Sequence, residues 1–148
     1  MSHVRQQIRD AVASALMGLT TTQNRVFPSR VYPMTAATLP GLTVFTQNET
    51  IEPHAMGRPI KLKHEMEIVI EAYVKQTADF DNAVDTISGE IETAVAQNSA
   101  LQSLVKLILP VDLAIETFKE GDQPVAVATM TYRALFFTHE GTPETIVN

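Results

Sequence analysis

At 148 residues, with apolar side chains at 45% and charged ones at 19%, the chain suits one domain with a real core and is too apolar for disorder. It has no cysteine, which excludes a disulfide framework, a thiolate zinc site and a cysteine nucleophile. The net charge of −6 argues against general affinity for phosphate backbones.

That charge is uneven along the chain. Residues 1–63 hold seven Lys/Arg against three Asp/Glu, and residues 64–148 hold four against fourteen. If the asymmetry survives folding, one surface is basic and another acidic, which suits head-to-tail contact between identical subunits. No apolar run nears the roughly 18 residues of a membrane span. The stretch from Met1 to Asp10 lacks the apolar core and cleavage site of a secretory signal, so the expected setting is a cytoplasm.

In chain order, residues 4–17 read as an amphipathic helix. Val4, Ile8, Ala11, Val12, Ala15, Leu16 and Leu19 recur at three- and four-residue spacing, Ser2 is a plausible N-cap and Gly18 a stop. Residues 26–33 have strand composition, but Pro28 and Pro33 confine them to an edge or an irregular strand. A turn through Met34–Pro40 leads to a second strand, Gly41–Gln47. Residues 48–60 contain two prolines and a glycine and read as a long loop or the arm of an extended hairpin.

The clearest strand is Leu62–Lys75, whose inner face reads Leu62, His64, Met66, Ile68, Ile70, Ala72 and Val74. Ala78–Gln97 is a second helix, capped by Thr77 or Asp79, with a short helical turn expected near Ala100–Val105. Leu107–Phe118 is a fourth strand, started or interrupted by Pro110. A turn over 119–124 precedes a fifth strand, Val125–Thr138, with Ala126, Ala128, Met130, Tyr132, Ala134 and Phe136 inward. Residues 139–148 have no periodicity and are expected to form a flexible tail. The pattern predicts one α+β domain over 1–148. Its sheet is mainly antiparallel with about five strands, two main helices pack on one face, and the order is α-β-β-β-α-β-β.

Candidate chemistry is sparse. His3, His54, His64 and His139 lie in four segments, and none has a spacing that seats a metal from one element. His64, on an inner strand face, reads as a hydrogen-bonded core histidine. Glu65, Glu67 and Glu71 share one strand face; such carboxylates can bind a divalent cation or act as an acid–base pair, but interleaved with Lys63 and Lys75 they read as a solvated face or a surface for a basic neighbour. No glycine-rich phosphate loop and no GxSxG elbow occur, and basic residues do not cluster with aromatics. The sequence therefore predicts no catalytic, cofactor or metal site. Long strands beside proline-marked ones point instead to edges completed by another polypeptide. The candidate subunit or partner interface is Glu52, His54, Met56 and Arg58 in the 48–60 segment, with Glu65, Glu67 and Glu71 on the strand.

Five stretches, in order, carry a resemblance: Arg30-Val-Tyr-Pro33, Leu39-Pro-Gly-Leu-Thr-Val-Phe45, Glu67-Ile-Val-Ile-Glu-Ala-Tyr-Val74, the helical Asp81–Glu92, and Glu120–Tyr132. Together they resemble the tail terminator, or tail completion, proteins of long-tailed bacteriophages, the lambda-type group in particular. The resemblance implies a virion protein, assembled in a host bacterial cytoplasm, that forms a ring, typically a hexamer. Such a ring caps the tail tube, stops its growth, offers a face to the head-side connector and lets DNA pass through its hole without specific binding. The alternatives are another phage neck or tail component, such as a connector or tube subunit, and a small cytoplasmic ligand-binding or enzymatic domain.

Overall fold

The computed structural model describes residues 2–28, 39–75, 78–120 and 123–148. The elements run α1 (Val4–Ala15), β1 (Val26–Phe27), β2 (Gly41–Ala55), β3 (Lys61–Lys75), α2 (Phe80–Gln97), α3 (Ser99–Leu104), β4 (Leu107–Glu120) and β5 (Gln123–His139). The fold is α+β, with three helices and one five-stranded sheet in the order β1-β2-β3-β5-β4. The sheet is mostly antiparallel; the short β1 pairs with β2 in parallel, which makes it mixed. The expected strand residues 29–33, most of the turn at 34–40, the cap at Thr77 and the middle of the 119–124 turn lie outside the described residues.

The alternation read along β3 is what fixes its place at the centre. His64, Met66, Ile68, Ile70, Ala72 and Val74 are buried, and β5 sets Phe136, Ala134, Tyr132, Met130, Ala128 and Ala126 opposite them in register. Side chains directly opposite share a face, so these twelve make one continuous floor. Val4, Ile8, Val12 and Leu16 of the α1 segment, Val84, Ile87, Ile91 and Val95 of α2, and Leu101 of α3 join that floor in one cluster. Each fully buried Val, Ile or Leu among them contributes about 1.5–3 kcal/mol. The other face of the sheet has a smaller cluster, in which Leu39 covers Val125 and Val127 beside Phe27 and Tyr73.

Helix α1 is capped by His3, whose Nδ1 accepts from the Arg5 N–H at 3.0 Å, rather than by Ser2. Past its end Gly18 takes a φ of +79°, a left-handed turn that favours glycine. Asp79 precedes α2 without a side-chain cap bond, and Asn98 caps α3 through the Leu101 N–H at 2.8 Å.

The 48–60 stretch takes the hairpin form of its sequence reading, whereas the tail departs from its own. The 48–60 stretch is strand as far as Ala55 and again from Lys61, so only Met56–Ile60 forms the tip of the β2–β3 hairpin. The tail expected to be flexible folds back onto the domain. Val4 N–H donates to the Pro143 carbonyl (2.8 Å), Val147 N–H to the Phe137 carbonyl (2.9 Å), and Asn148 Oδ1 accepts from Phe137 N–H (2.9 Å). Ile146 packs against the core. A polar-looking tail can dock in this way because β4 stops pairing with β5 at Leu135, leaving backbone groups at Phe137 to be satisfied.

Candidate functional site

The hairpin is anchored at its base by a polar cluster. A bulge in β2 sets two residues, Gln47 and Asn48, against one on β3, Glu67, between the pairs Thr46–Ile68 and Glu49–Met66. The extra residue turns Glu49 to the helix-covered face. There its carboxylate accepts from Arg5 Nε at 2.7 Å, Arg5 Nη2 at 3.0 Å and His64 Nδ1 at 2.9 Å. His64 Nε2 lies 2.8 Å from Thr138 Oγ1, and its ring stacks on Phe136 at 4.5 Å. Burial pushes the Glu49 carboxyl upward, but the bonds from Arg5 and His64 more than reverse this and hold it below its ordinary value.

Chemically, Glu49, His64 and Thr138 form an acid–imidazole–hydroxyl line. Thr138 is only 2% exposed, however, so its hydroxyl is not presented at the surface. A nucleophile needs a substrate beside it. This cluster instead pins α1 to the hairpin base. Among the described residues, no group of three or more His, Asp or Glu could hold a metal ion, and no helix is long and apolar enough to cross a membrane.

The structure places Glu52, His54, Met56 and Arg58 on the exposed distal hairpin. His54 rests against the Phe137 ring, 4.7 Å between centroids. Glu65, Glu67 and Glu71 project from the sheet face opposite the main helical cluster, as their odd numbering along β3 requires, and all three are half-buried. Glu65 pairs with Lys63 at 3.3 Å; Glu71 accepts from Thr43 Oγ1 at 3.1 Å and the Tyr73 hydroxyl at 3.2 Å. Glu52 lies opposite Lys63, on the sheet face that carries Glu65, Glu67 and Glu71.

Sequence reasoning missed the other half of the exposed surface. β4 is an edge strand, and Leu107, Leu109, Val111, Leu113 and Ile115 on it are 43–49% exposed. Every odd position from 107 to 115 is apolar, which suggests a single inward face. A bulge between Pro110 and Asp112 breaks that series. Leu107 and Leu109 share the face of Leu135 and Arg133, whereas Leu113 and Ile115 share that of Met130 and Ala128. Neither pair reaches cover. Leu107, Leu109, Val111 and Leu135 line a groove of about 180 Å³ whose charged members are Glu65 and Arg133.

At the opposite side of the sheet, β1 borders β2 only at Leu42 and Thr43. No described strand borders Gln47–Ala55 on its outer side. A larger, shallow cleft of about 420 Å³ lies between Gly18–Thr20 and the Gly89–Ala94 stretch of α2. The one ionisable group lining it, Glu90, is already engaged by the Thr21 N–H and hydroxyl. No family model matches the chain, and no curated protein matches it.

Proposed function

We propose that this chain is a structural subunit that assembles with copies of itself into a closed ring, and that the ring works as a tail terminator of a long-tailed bacteriophage. In that role it caps the tail tube, halts tube growth, receives the head-side connector and lets DNA pass.

One observation carries the reading: among the described residues, a single sheet ends in two unlike borders with no strand beside them. One is the distal half of β2 and the other is β4, with its five half-exposed apolar side chains. Open borders are sites for strand addition. Because the two differ and lie on opposite sides, contact between them is heterologous, and a heterologous contact that closes makes a ring. The order of the five resembling stretches supplies the tail-terminator assignment. The net charge of −6 supports a hole that repels phosphate, so DNA slides rather than sticks.

The test is size-exclusion chromatography with light scattering over a wide concentration range, alone and with the tail tube protein. The expected result is a discrete multiple of the subunit mass that co-elutes with, or caps, tubes of limited length. A protein that stays monomeric in every case and binds a small metabolite would overturn the proposal. Rings that bind a head-side connector but ignore tubes would reassign it to the neck.

A further inference from the structure

We infer that the outer border of β2 over Gln47–Ala55 pairs with Leu109–Thr117 of β4 in the next copy, antiparallel and with Ile51 opposite Leu113. The inference rests on the ring reading above and names the residues that join.

Strand direction and level set the possibilities. β2 runs toward the hairpin tip and β4 away from it, because β2 and β3, β3 and β5, and β5 and β4 are each antiparallel. Rotation about an axis near the strand direction therefore brings β2 of one copy antiparallel to β4 of the next, the more stable kind of pairing. The registers also arrange the sheet in rows. Ile51 shares the row of His64, and Leu113 shares that of Met130 and Ile70, six rows further from the tip. Six rows are about 20 Å of strand.

Ring closure supplies that offset. A ring joined through strand pairing is a closed barrel, whose strands tilt by about 35–45° to its axis. From β2 of one copy to β2 of the next is four strand spacings, about 19 Å. The tilt then displaces successive copies along the strands by about 13–19 Å, or about four to six residues. Only an even offset keeps the helix-covered face on one side.

Side chains select six. Ile51 and Leu113 both lie on the helix-covered face, opposite His64 and Met130, yet they are 48% and 47% exposed. The helices stop short of both borders, and pairing lets each residue cover the other. Pro53, which has no N–H to donate, falls opposite Val111, the residue that the β4 bulge already leaves without a partner on β5. β1 borders β2 only at Leu42 and Thr43, beyond the end of the joined stretch. One pair opposes the contact: Glu52 meets Asp112, and like charges directly opposite weaken a sheet.

The hand of the fold adds a consequence. β3 and β4 are parallel and joined through α2 and α3, a crossover that is right-handed. With that hand and the right-handed coiling of barrel strands, the offset has the required sense when the helices face outward. The sheet face bearing Glu65, Glu67 and Glu71 then lines the hole, in keeping with a lining that repels phosphate.

The chain has no cysteine, so disulfide trapping tests the register. Ile51→Cys and Leu113→Cys are made singly and together, with a thermal melt as the check on folding. Within one copy the two positions stand three strand spacings apart, about 14 Å, too far for an internal bond. Mixing the single variants under mild oxidation should give a covalent heterodimer, and the double variant a ladder reaching the mass of the ring. Trapping by Thr50→Cys with Leu107→Cys instead would mean untilted strands and overturn the offset, since those residues share one row. Asp112→Lys should lower the concentration at half-assembly by up to about fivefold, a gain that Glu52→Gln should abolish. A gain that survives Glu52→Gln would also overturn the register. If the unmodified protein assembles but no heterodimer or ladder forms, the pairing is wrong and the ring reading stands. A protein monomeric under every condition would remove both.

Discussion

Replacing Glu49 by Ala should cost this small domain about 2–4 kcal/mol, a sum whose parts follow from the geometry. His64 Nδ1 would lose its acceptor on a side chain that is only 5% exposed. A buried donor left without a partner costs about 1–3 kcal/mol. Arg5 would lose a two-point ion pair, but its side chain is 38% exposed and water can replace the carboxylate. That loss is worth about 1 kcal/mol. Arg5→Ala should therefore cost less than Glu49→Ala, and Glu49→Gln, which keeps an acceptor for one partner, should fall between wild type and Glu49→Ala.

Urea titration followed by circular dichroism measures these costs directly, because a midpoint shift at constant slope is a stability change. Acid gives an independent reading. The folded-state pKa of Glu49 lies below its ordinary value of 4.5. Its stabilising contribution is therefore fully present above about pH 4.5 and is lost as pH falls through the folded pKa. Glu49→Gln should flatten that part of the acid limb. A cost under about 0.5 kcal/mol for Glu49→Ala, at the level of ordinary surface substitutions, would refute the claim that this cluster holds the hairpin to α1.

Three further outcomes are expected. The Tyr132 hydroxyl is buried with no hydrogen-bond partner among the described residues, and burial together with the Glu92 charge raises its pKa. Tyr132→Phe should thus be neutral or stabilising by up to about 1 kcal/mol in thermal melts, and a clear loss would reveal a partner. Removing residues 143–148 should destabilise by about 3 kcal/mol, through lost Ile146 packing and the backbone bonds at Val4 and Phe137, as read by urea midpoint. Glu65→Lys with Glu67→Lys should leave the melting temperature within a few degrees yet lower the assembled mass in light scattering, whereas an unchanged mass would make both carboxylates merely solvated.

Much of the fold was legible because hydrophobic spacing reports on one thing, which face is dry. The inner rows of β3 from His64 to Val74 and of β5 were readable residue by residue, with Leu62 left half-buried at the end of its row. What stayed hidden was whatever depends on a partner far away in sequence. Val127 and Phe137 sit on the face that alternation assigns to solvent, yet both are buried. Leu39 covers the first, and His54 and Lys61 lie over the second. The tail is a similar case, since its order comes from backbone bonds to Val4 and Phe137 rather than from any pattern of its own. The edge strand that begins at Val26 was legible, but not its parallel direction, because two residues are too few to carry a period.

The candidate surfaces were half legible for a related reason: both are shaped by bulges, and a bulge cancels the parity argument on which strand reading depends. Without the extra residue after Thr46, Glu49 would fall on the face of Glu65, away from Arg5 and His64. Without the one after Pro110, Leu113 and Ile115 would share the face of Leu107 and Leu109 in one long stripe. The two bulges thus act in opposite ways on exposure. The first draws a carboxylate inward and ties the base of the hairpin to α1. The second splits an apolar stripe between two faces, and neither half gains cover within the subunit. An edge strand left apolar on both faces has a reason to receive a partner strand. Two single-residue insertions in strand register thus place an anchored hairpin base and an apolar border on one sheet.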